Sequence, residues 1–204
     1  MWSKKVTDRE KELEKNIMEY SIKVIDEQKK QMSFILEEKQ KDIAKDVLWS
    51  FHELFQKATG NTVDGKSKEV AYIIISFLNT GIINESIEIN IGLYDSNMLF
   101  DKEPITRYYN FHFFDEIIKK DMEDFKNYIQ SKMIRVKYQE LYRYKRVCMI
   151  KYKSVMEECM QAYVEMIVHL KSFIAMNTTP DIKILFGELM CKNTILYEGG
   201  EEKL

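Results

Sequence analysis

The chain has 204 residues, with 31 lysines and arginines against 33 aspartates and glutamates, a formal net charge of -2, and only seven glycines and two prolines. About 24 glycines and prolines would be expected at average usage, so collagen-like, proline-rich and glycine/serine-linker proteins are excluded. An aromatic content of 12% and almost no net charge exclude a disordered chain.

The compartment is predicted from three features. The N-terminus becomes charged at Lys4 and has no apolar core of a secretory signal. The longest uncharged run, residues 70–84, is shorter than a membrane span and contains Gly81, so we expect a buried segment. The three cysteines form no CxxC pair, which is typical of a reducing compartment. We therefore expect a cytoplasmic protein without a membrane partner.

The first helical block is residues 1–59, which contain neither glycine nor proline. Thr7 followed by Glu10 predicts a capping box. One coiled-coil-like stripe follows. Its apolar members are Val6, Leu13, Ile17, Tyr20 and Val24, and Gln28, Gln31 and Ile35 continue its line.

A second stripe on this block is rotated by about 120° from the first if the helix is straight. It consists of Ile43, Val47, Phe51, Leu54 and Phe55. The rotation predicts a bend or stutter near the polar run at 37–42. We expect residues 1–59 to form an N-terminal helical arm.

Residues 60–204 are expected to hold a small antiparallel sheet and a long central helix, in one cooperative unit with the arm. Apolar residues alternate at 87–93 and again at 105–113, which predicts two strands, although a helix that starts earlier than residue 113 is an alternative. Alternation at 182–186 and the run 194–197 predict a hairpin. The sheet is therefore placed at about 87–113 and 182–198.

The central helix is predicted from about residue 115 to 176 and carries heptad spacing. The candidate helix-pairing seam consists of Ile134, Tyr138, Leu141, Cys148, Tyr152, Val155, Cys159, Met166 and Phe173. Residues 132–176 alone would be about 66 Å long, which exceeds the ~30–40 Å of a compact domain. The helix must therefore pair with the N-terminal arm, pair with a second copy, or break.

The strongest charge imbalance lies at residues 132–153, where eight basic residues face one acid, Glu140. Five of the basic residues fall within about 80° of a helical wheel. This candidate stripe for an anionic partner consists of Lys132, Arg135, Arg143, Arg146 and Lys153. Interleaved tyrosines would suit phosphates or acidic protein surfaces, whereas a solvated face neutralised by acids elsewhere is the plainer interpretation.

No residue pattern indicates a catalytic, cofactor or metal site. Phosphate-binding glycine loops and the GxSxG nucleophile motif are absent, as are the histidine–glutamate metal motifs. The three histidines, His52, His112 and His169, each lie near an acidic residue, but their spacing does not match a bundle metal site.

The predicted fold class is α+β, mainly α, with long helical arms in coiled-coil-like pairing and a small antiparallel sheet. We expect a non-enzymatic protein-interaction or assembly protein that binds a protein partner or forms a homodimer through its amphipathic helices. The first alternative is a nucleic-acid-associated regulator that uses the basic stripe. The second is an enzyme with an unrecognised pocket.

Overall fold

The computed structural model describes residues 7–60, 62–63, 66–188 and 191–200, so Val6 of the first stripe lies outside the described residues. Helix α1, Asp8–Glu38, begins with the predicted capping box, in which the Glu10 amide donates to the Thr7 hydroxyl and the Thr7 amide donates to the Glu10 carboxylate. Helix α2, Gln40–Gly60, follows after Lys39. The predicted break near 37–42 is therefore confirmed.

A two-residue hairpin, β1 (Thr62–Val63) and β2 (Lys66–Ser67), leads into the main sheet. Strand β3 is Val70–Phe77, the short helix α3 is Gly81–Asn84, β4 is Glu88–Tyr94, and β5 is Ile105–Asn110. Strand β3 falls in the run that we expected to be buried but did not assign to a strand. It is buried on both faces and so lacks the alternation that marks half-buried strands.

The predicted central helix at about 115–176 is interrupted, which is the third of the alternatives that its length left open. It divides into α4 (Asp115–Lys132), α5 (Tyr138–Val168) and α6 (Lys171–Ile174). Between α4 and α5, Met133 is extended and Arg135 has a φ of 54°, a left-handed conformation that no helix interior adopts. The Arg9 guanidinium holds this linker by donating to the carbonyls of Ile134 and Arg135. A contact with α1 therefore holds the break in place. The linker contains no glycine or proline, so its sequence does not predict the break.

The last two strands, β6 (Thr178–Gly187) and β7 (Thr194–Glu198), form the predicted antiparallel hairpin. The five main strands are ordered β5-β4-β3-β6-β7. Strands β3 and β6 are parallel, with Ile75 opposite Phe186, so the sheet is mixed and the prediction of an antiparallel sheet is wrong. The parallel pair arises because α4 and α5 form the crossover between β5 and β6.

The helices cover one face of the sheet and form a single hydrophobic core with it. Ile73 and Ile75 of β3 point into this core, together with Ile89 and Ile91 of β4. A smaller cluster on the opposite face centres on Ile74. More than half of the chain is helical, so the α+β, mainly α fold class holds. No helix in the described ranges has both the length and the apolar character of a membrane span.

Candidate functional site

The carboxyl ends of β3 and β6 meet at one edge of the sheet because these two strands are parallel. Such edges are where open sheets with parallel strands most often bind ligands. Helix α5 passes this edge and α3 closes it from the side. Between them lies an opening of about 280 Å³, which we call the β3–β6 cleft.

The floor of the cleft is apolar and comes from three elements. Phe77 ends β3, Ile82 lies in α3, and Met149 projects from α5. All three side chains are buried. The floor thus offers a site for an apolar group next to the polar rim.

One row of α5 side chains forms the long side of the rim. Tyr142, Arg146, Ile150 and Lys153 are spaced by four, four and three residues, which places them on one helix face. Ile150 is 59% exposed although it is aliphatic. The row therefore combines an aromatic ring, a guanidinium, an exposed aliphatic side chain and an ammonium group.

Helix α3 is held against this rim by a buried carboxylate. Glu88 accepts hydrogen bonds from the Thr80 hydroxyl at 2.6 Å, the Asn84 amide at 2.8 Å and the Ser86 hydroxyl at 3.0 Å. Burial by itself would raise the pKa of Glu88, but these bonds and one from Tyr108 outweigh burial and lower it. A charged carboxylate thus fixes both ends of the α3 turn.

Two further contacts fix the position of α3. The Lys145 ammonium pairs with Glu85, the residue that ends α3 in a left-handed conformation, and this pair joins α3 to α5. Gly81 begins the turn, and a Cβ atom there would lie 2.2 Å from the Ser86 carbonyl oxygen. Only glycine fits this close approach, so α3 has a defined position at the side of the cleft.

The structure divides the predicted basic stripe. Lys132 ends α4, where its ammonium lies 5.9 Å from the centre of the Tyr128 ring, and Arg135 lies in the α4–α5 linker. Arg143 pairs with α1 through Glu10 at 3.1 Å and Glu14 at 3.8 Å. These three side chains and the cleft therefore do not form one continuous positive surface.

Two members of the stripe, Arg146 and Lys153, come together at the cleft. Lys153 pairs with Glu188 at 3.1 Å. Arg146 is exposed and has no ion pair within the described part of the chain. It is thus a guanidinium available to an external carboxylate or phosphate.

The predicted helix-pairing seam is also divided. Cys148, Tyr152, Val155 and Cys159 are buried inside the single chain, and Leu141 and Phe173 are half-buried against the same core. Ile134, Tyr138 and Met166 are exposed, by 83%, 62% and 48%. These three residues are not buried with the rest of the seam for two reasons. Ile134 lies in the linker, and the heptad positions of a straight helix rotate by about 20° per heptad relative to an exact seven-residue repeat.

Each of the three histidines contacts a different neighbour. The Nδ1 atom of His52 lies 3.0 Å from the Ser172 hydroxyl, and Nδ1 of His169 lies 2.6 Å from the Glu165 carbonyl oxygen. His112 packs against the Phe113 ring. Within the described ranges, no group of three or more histidine, cysteine, aspartate or glutamate side chains is arranged to hold a metal ion.

The strand-end residues of the cleft, Asn79 and Glu188, are absent from the predicted site residues. Each follows a strongly apolar strand, and this is the one sequence signal that they carry. The signal is insufficient because it does not reveal that β3 and β6 are neighbours. Comparison with known protein families, characterised proteins and solved structures finds no match to this chain.

Proposed function

We propose that this protein is a non-enzymatic interaction module that binds an acidic, apolar segment of a partner protein in the β3–β6 cleft. The observation that carries the proposal is Arg146, an exposed guanidinium without an ion pair in the described part of the chain, above an apolar floor and beside the exposed Ile150. Arginine and tyrosine are enriched among the residues that contribute most of the binding energy at protein interfaces.

The binding surface differs from the one expected from heptad spacing. The central part of the seam packs inside the chain, so it has no free face for a partner. The exposed row of α5 at the cleft takes that role instead. A partner segment would place an aliphatic or aromatic side chain on the floor of Phe77, Ile82 and Met149 and a carboxylate on Arg146.

A nucleic-acid partner is the alternative, and the charges argue against it. Arg143 and Lys153 are neutralised by acids of the same chain. Contacts with five phosphates would give a slope of log affinity against log salt concentration near -4.5, because each cation that contacts a phosphate contributes about one unit to the slope. With Arg146 as the available cation at the cleft we expect a slope near -1.

We place the protein in the cytoplasm, in keeping with its thiols. Cys148, Cys159 and Cys191 are free. Burial raises the pKa of the Cys159 thiol to about 12, which makes that thiol unreactive at neutral pH.

The proposal is tested with displayed random peptides of about 12 residues, long enough to cross one cleft. We expect selection of peptides that combine acidic with aliphatic or aromatic residues. Arg146→Glu and Ile150→Glu should each weaken a selected peptide by about 10- to 100-fold in fluorescence anisotropy, because both residues lie at the centre of the surface.

The matched control is Lys171→Glu, the same charge change on the exposed face of α6. It should leave peptide binding unchanged, and circular dichroism should show that all variants are folded. Selected peptides without acidic residues, or full binding by Arg146→Glu, would contradict the proposal. Tight binding of duplex DNA or RNA with a slope near -4.5 would favour the nucleic-acid alternative.

A further inference from the structure

Helix α1 carries a row of solvent-facing side chains spaced four residues apart. The row is Ile22, Asp26, Lys30 and Phe34. Ile22 is 73% exposed and Phe34 is 62% exposed, although both are large and apolar. Rows of this spacing are the ridges that interdigitate in the commonest class of helix–helix packing.

The two charges in the row are available to a partner. Asp26 and Lys30 are exposed, and neither forms an ion pair with another described residue, although they lie one turn apart on the same helix. The row thus presents an apolar residue at each end and two opposite charges between them.

The order of these residues is self-complementary. We propose that α1 pairs antiparallel with α1 of a second copy of this chain, with the two-fold axis at the level of residue 28. Ile22 then meets the partner's Phe34, and Asp26 meets the partner's Lys30. Each contact occurs twice, as a two-fold interface requires.

The structure provides a receiving surface for Ile22. Phe34 and Ile35 of α1 and Ile117 of α4 border a shallow hollow of about 530 Å³, with Glu27 and Gln31 on its edge. The Ile22 side chain of the second copy enters this hollow and covers Phe34. Burial of both side chains supplies the apolar part of the association.

Charge excludes the competing arrangements. A parallel pair would place Asp26 against Asp26 and Lys30 against Lys30. An antiparallel pair centred on residue 26 would also place two Asp26 carboxylates together. Like charges in direct opposition destabilise a helix pair, so only the register centred on residue 28 satisfies all four side chains.

The interface is small and independent of the cleft. The row is about 18 Å long. It therefore buries less than the ~800 Å² per partner of a typical stable complex, and we expect a dissociation constant in the micromolar range. The cleft lies on α5 and α3, so the dimer can fail while the proposed function holds, and the reverse.

The test is a charge exchange followed by sedimentation equilibrium of the full chain between about 10 and 500 µM. The wild-type protein should form a reversible dimer. Asp26→Lys and Lys30→Asp alone should each shift the dissociation constant by at least about 10-fold towards monomer, because each juxtaposes like charges. An equimolar mixture of the two variants should form a 1:1 dimer.

The variant that carries both Asp26→Lys and Lys30→Asp should regain the dimer, since the exchanged charges again lie opposite each other across the two-fold axis. Phe34→Ser, at an exposed position, should abolish dimerisation without changing circular dichroism, whereas Arg146→Glu should leave it unchanged. A wild-type monomer throughout the range, single variants that still dimerise, or a double variant that stays monomeric would each overturn the proposal.

Discussion

Two buried carboxylates, Asp121 and Glu88, have no cationic partner among the described residues, yet their pKa values are shifted in opposite directions. Asp121 on α4 accepts hydrogen bonds from Tyr144 at 2.7 Å and Tyr152 at 2.9 Å on α5. Burial raises the pKa of Asp121 in spite of these bonds, whereas the hydroxyl and amide donors around Glu88 lower the pKa of that group. Each carboxylate has four neutral side-chain donors, so the difference reflects the deeper burial of Asp121, whose desolvation outweighs its hydrogen bonds.

Substitutions that remove these charges should respond to pH in opposite directions. The folded state binds the Asp121 proton more tightly than the unfolded state, so its protonation stabilises the fold below the unfolded pKa of ~3.9, and that stability falls as pH rises. Asp121→Asn should therefore become less destabilising, relative to wild type, between about pH 4 and pH 7. Urea unfolding at several pH values measures the difference.

Glu88→Gln is the matched comparison, because the lowered pKa of Glu88 reverses the sign. Ionised Glu88 stabilises the fold above its unfolded pKa of ~4.3, and this stabilisation is lost as pH falls through the pKa of Glu88 in the folded state. The cost of Glu88→Gln should be about 2 kcal/mol at pH 7 and should shrink towards pH 3. Two variants with the same pH trend would contradict this assignment.

At the scale of elements, the break between α4 and α5 decides which residues reach the cleft. The break is fixed by backbone contacts to Arg9 and by Glu140, which accepts from the Lys137 amide at 2.7 Å and from the Arg9 guanidinium. Because of it, Arg135 and Arg146 do not lie on one helix face. The row at the cleft begins only at Tyr142.

Arg135→Gly tests the break, because the substitution should raise the free energy of unfolding if the break is present and lower it if the helix is continuous. In the left-handed conformation of residue 135, glycine removes a cost of about 1 kcal/mol, so the free energy of unfolding should rise by up to that amount. In a continuous helix the same change would lower it by about 1 kcal/mol. Lys137→Gly, at an extended position with φ -91°, is the control and should destabilise the protein.

In the molecule as a whole, one chain buries the central part of the predicted helix-pairing seam in its own core. Val155 is 4% exposed and Ile134 is 83% exposed, although both are members of the predicted seam. A seam between two copies would bury both residues. The structure buries one face of α5 in the core of its own chain and leaves Arg146 and Ile150 of the same helix exposed at the cleft.

Val155→Asp should lower the free energy of unfolding by about 3–5 kcal/mol, because it buries an unpaired charge. Ile134→Asp should change it by no more than ~0.5 kcal/mol. Both effects should be independent of protein concentration in urea titrations. A difference in midpoint between Val155→Asp and wild type that changes with protein concentration, or a large effect of Ile134→Asp, would mean that the seam joins two copies.

The local features of this protein are predictable from its sequence. The capping box at Thr7, the break near Lys39, and strands β4, β5, β6 and β7 all depend on residues close together in the chain, so periodicity and capping chemistry predict them. The sequence also predicts the mainly helical fold class, since glycine and proline are confined to short segments.

Three features are visible only in the folded chain: the parallel pairing of β3 with β6, the division of the long helix, and the identity of the α5 arginine that has no ion pair among the described residues. Each depends on contacts between distant parts of the chain. Glu10 neutralises Arg143 across 133 residues, and Arg9 holds the linker across 125. The period of a helix shows which residues share a face, but only the folded chain shows which acids lie opposite that face, because ion pairing depends on distance in space.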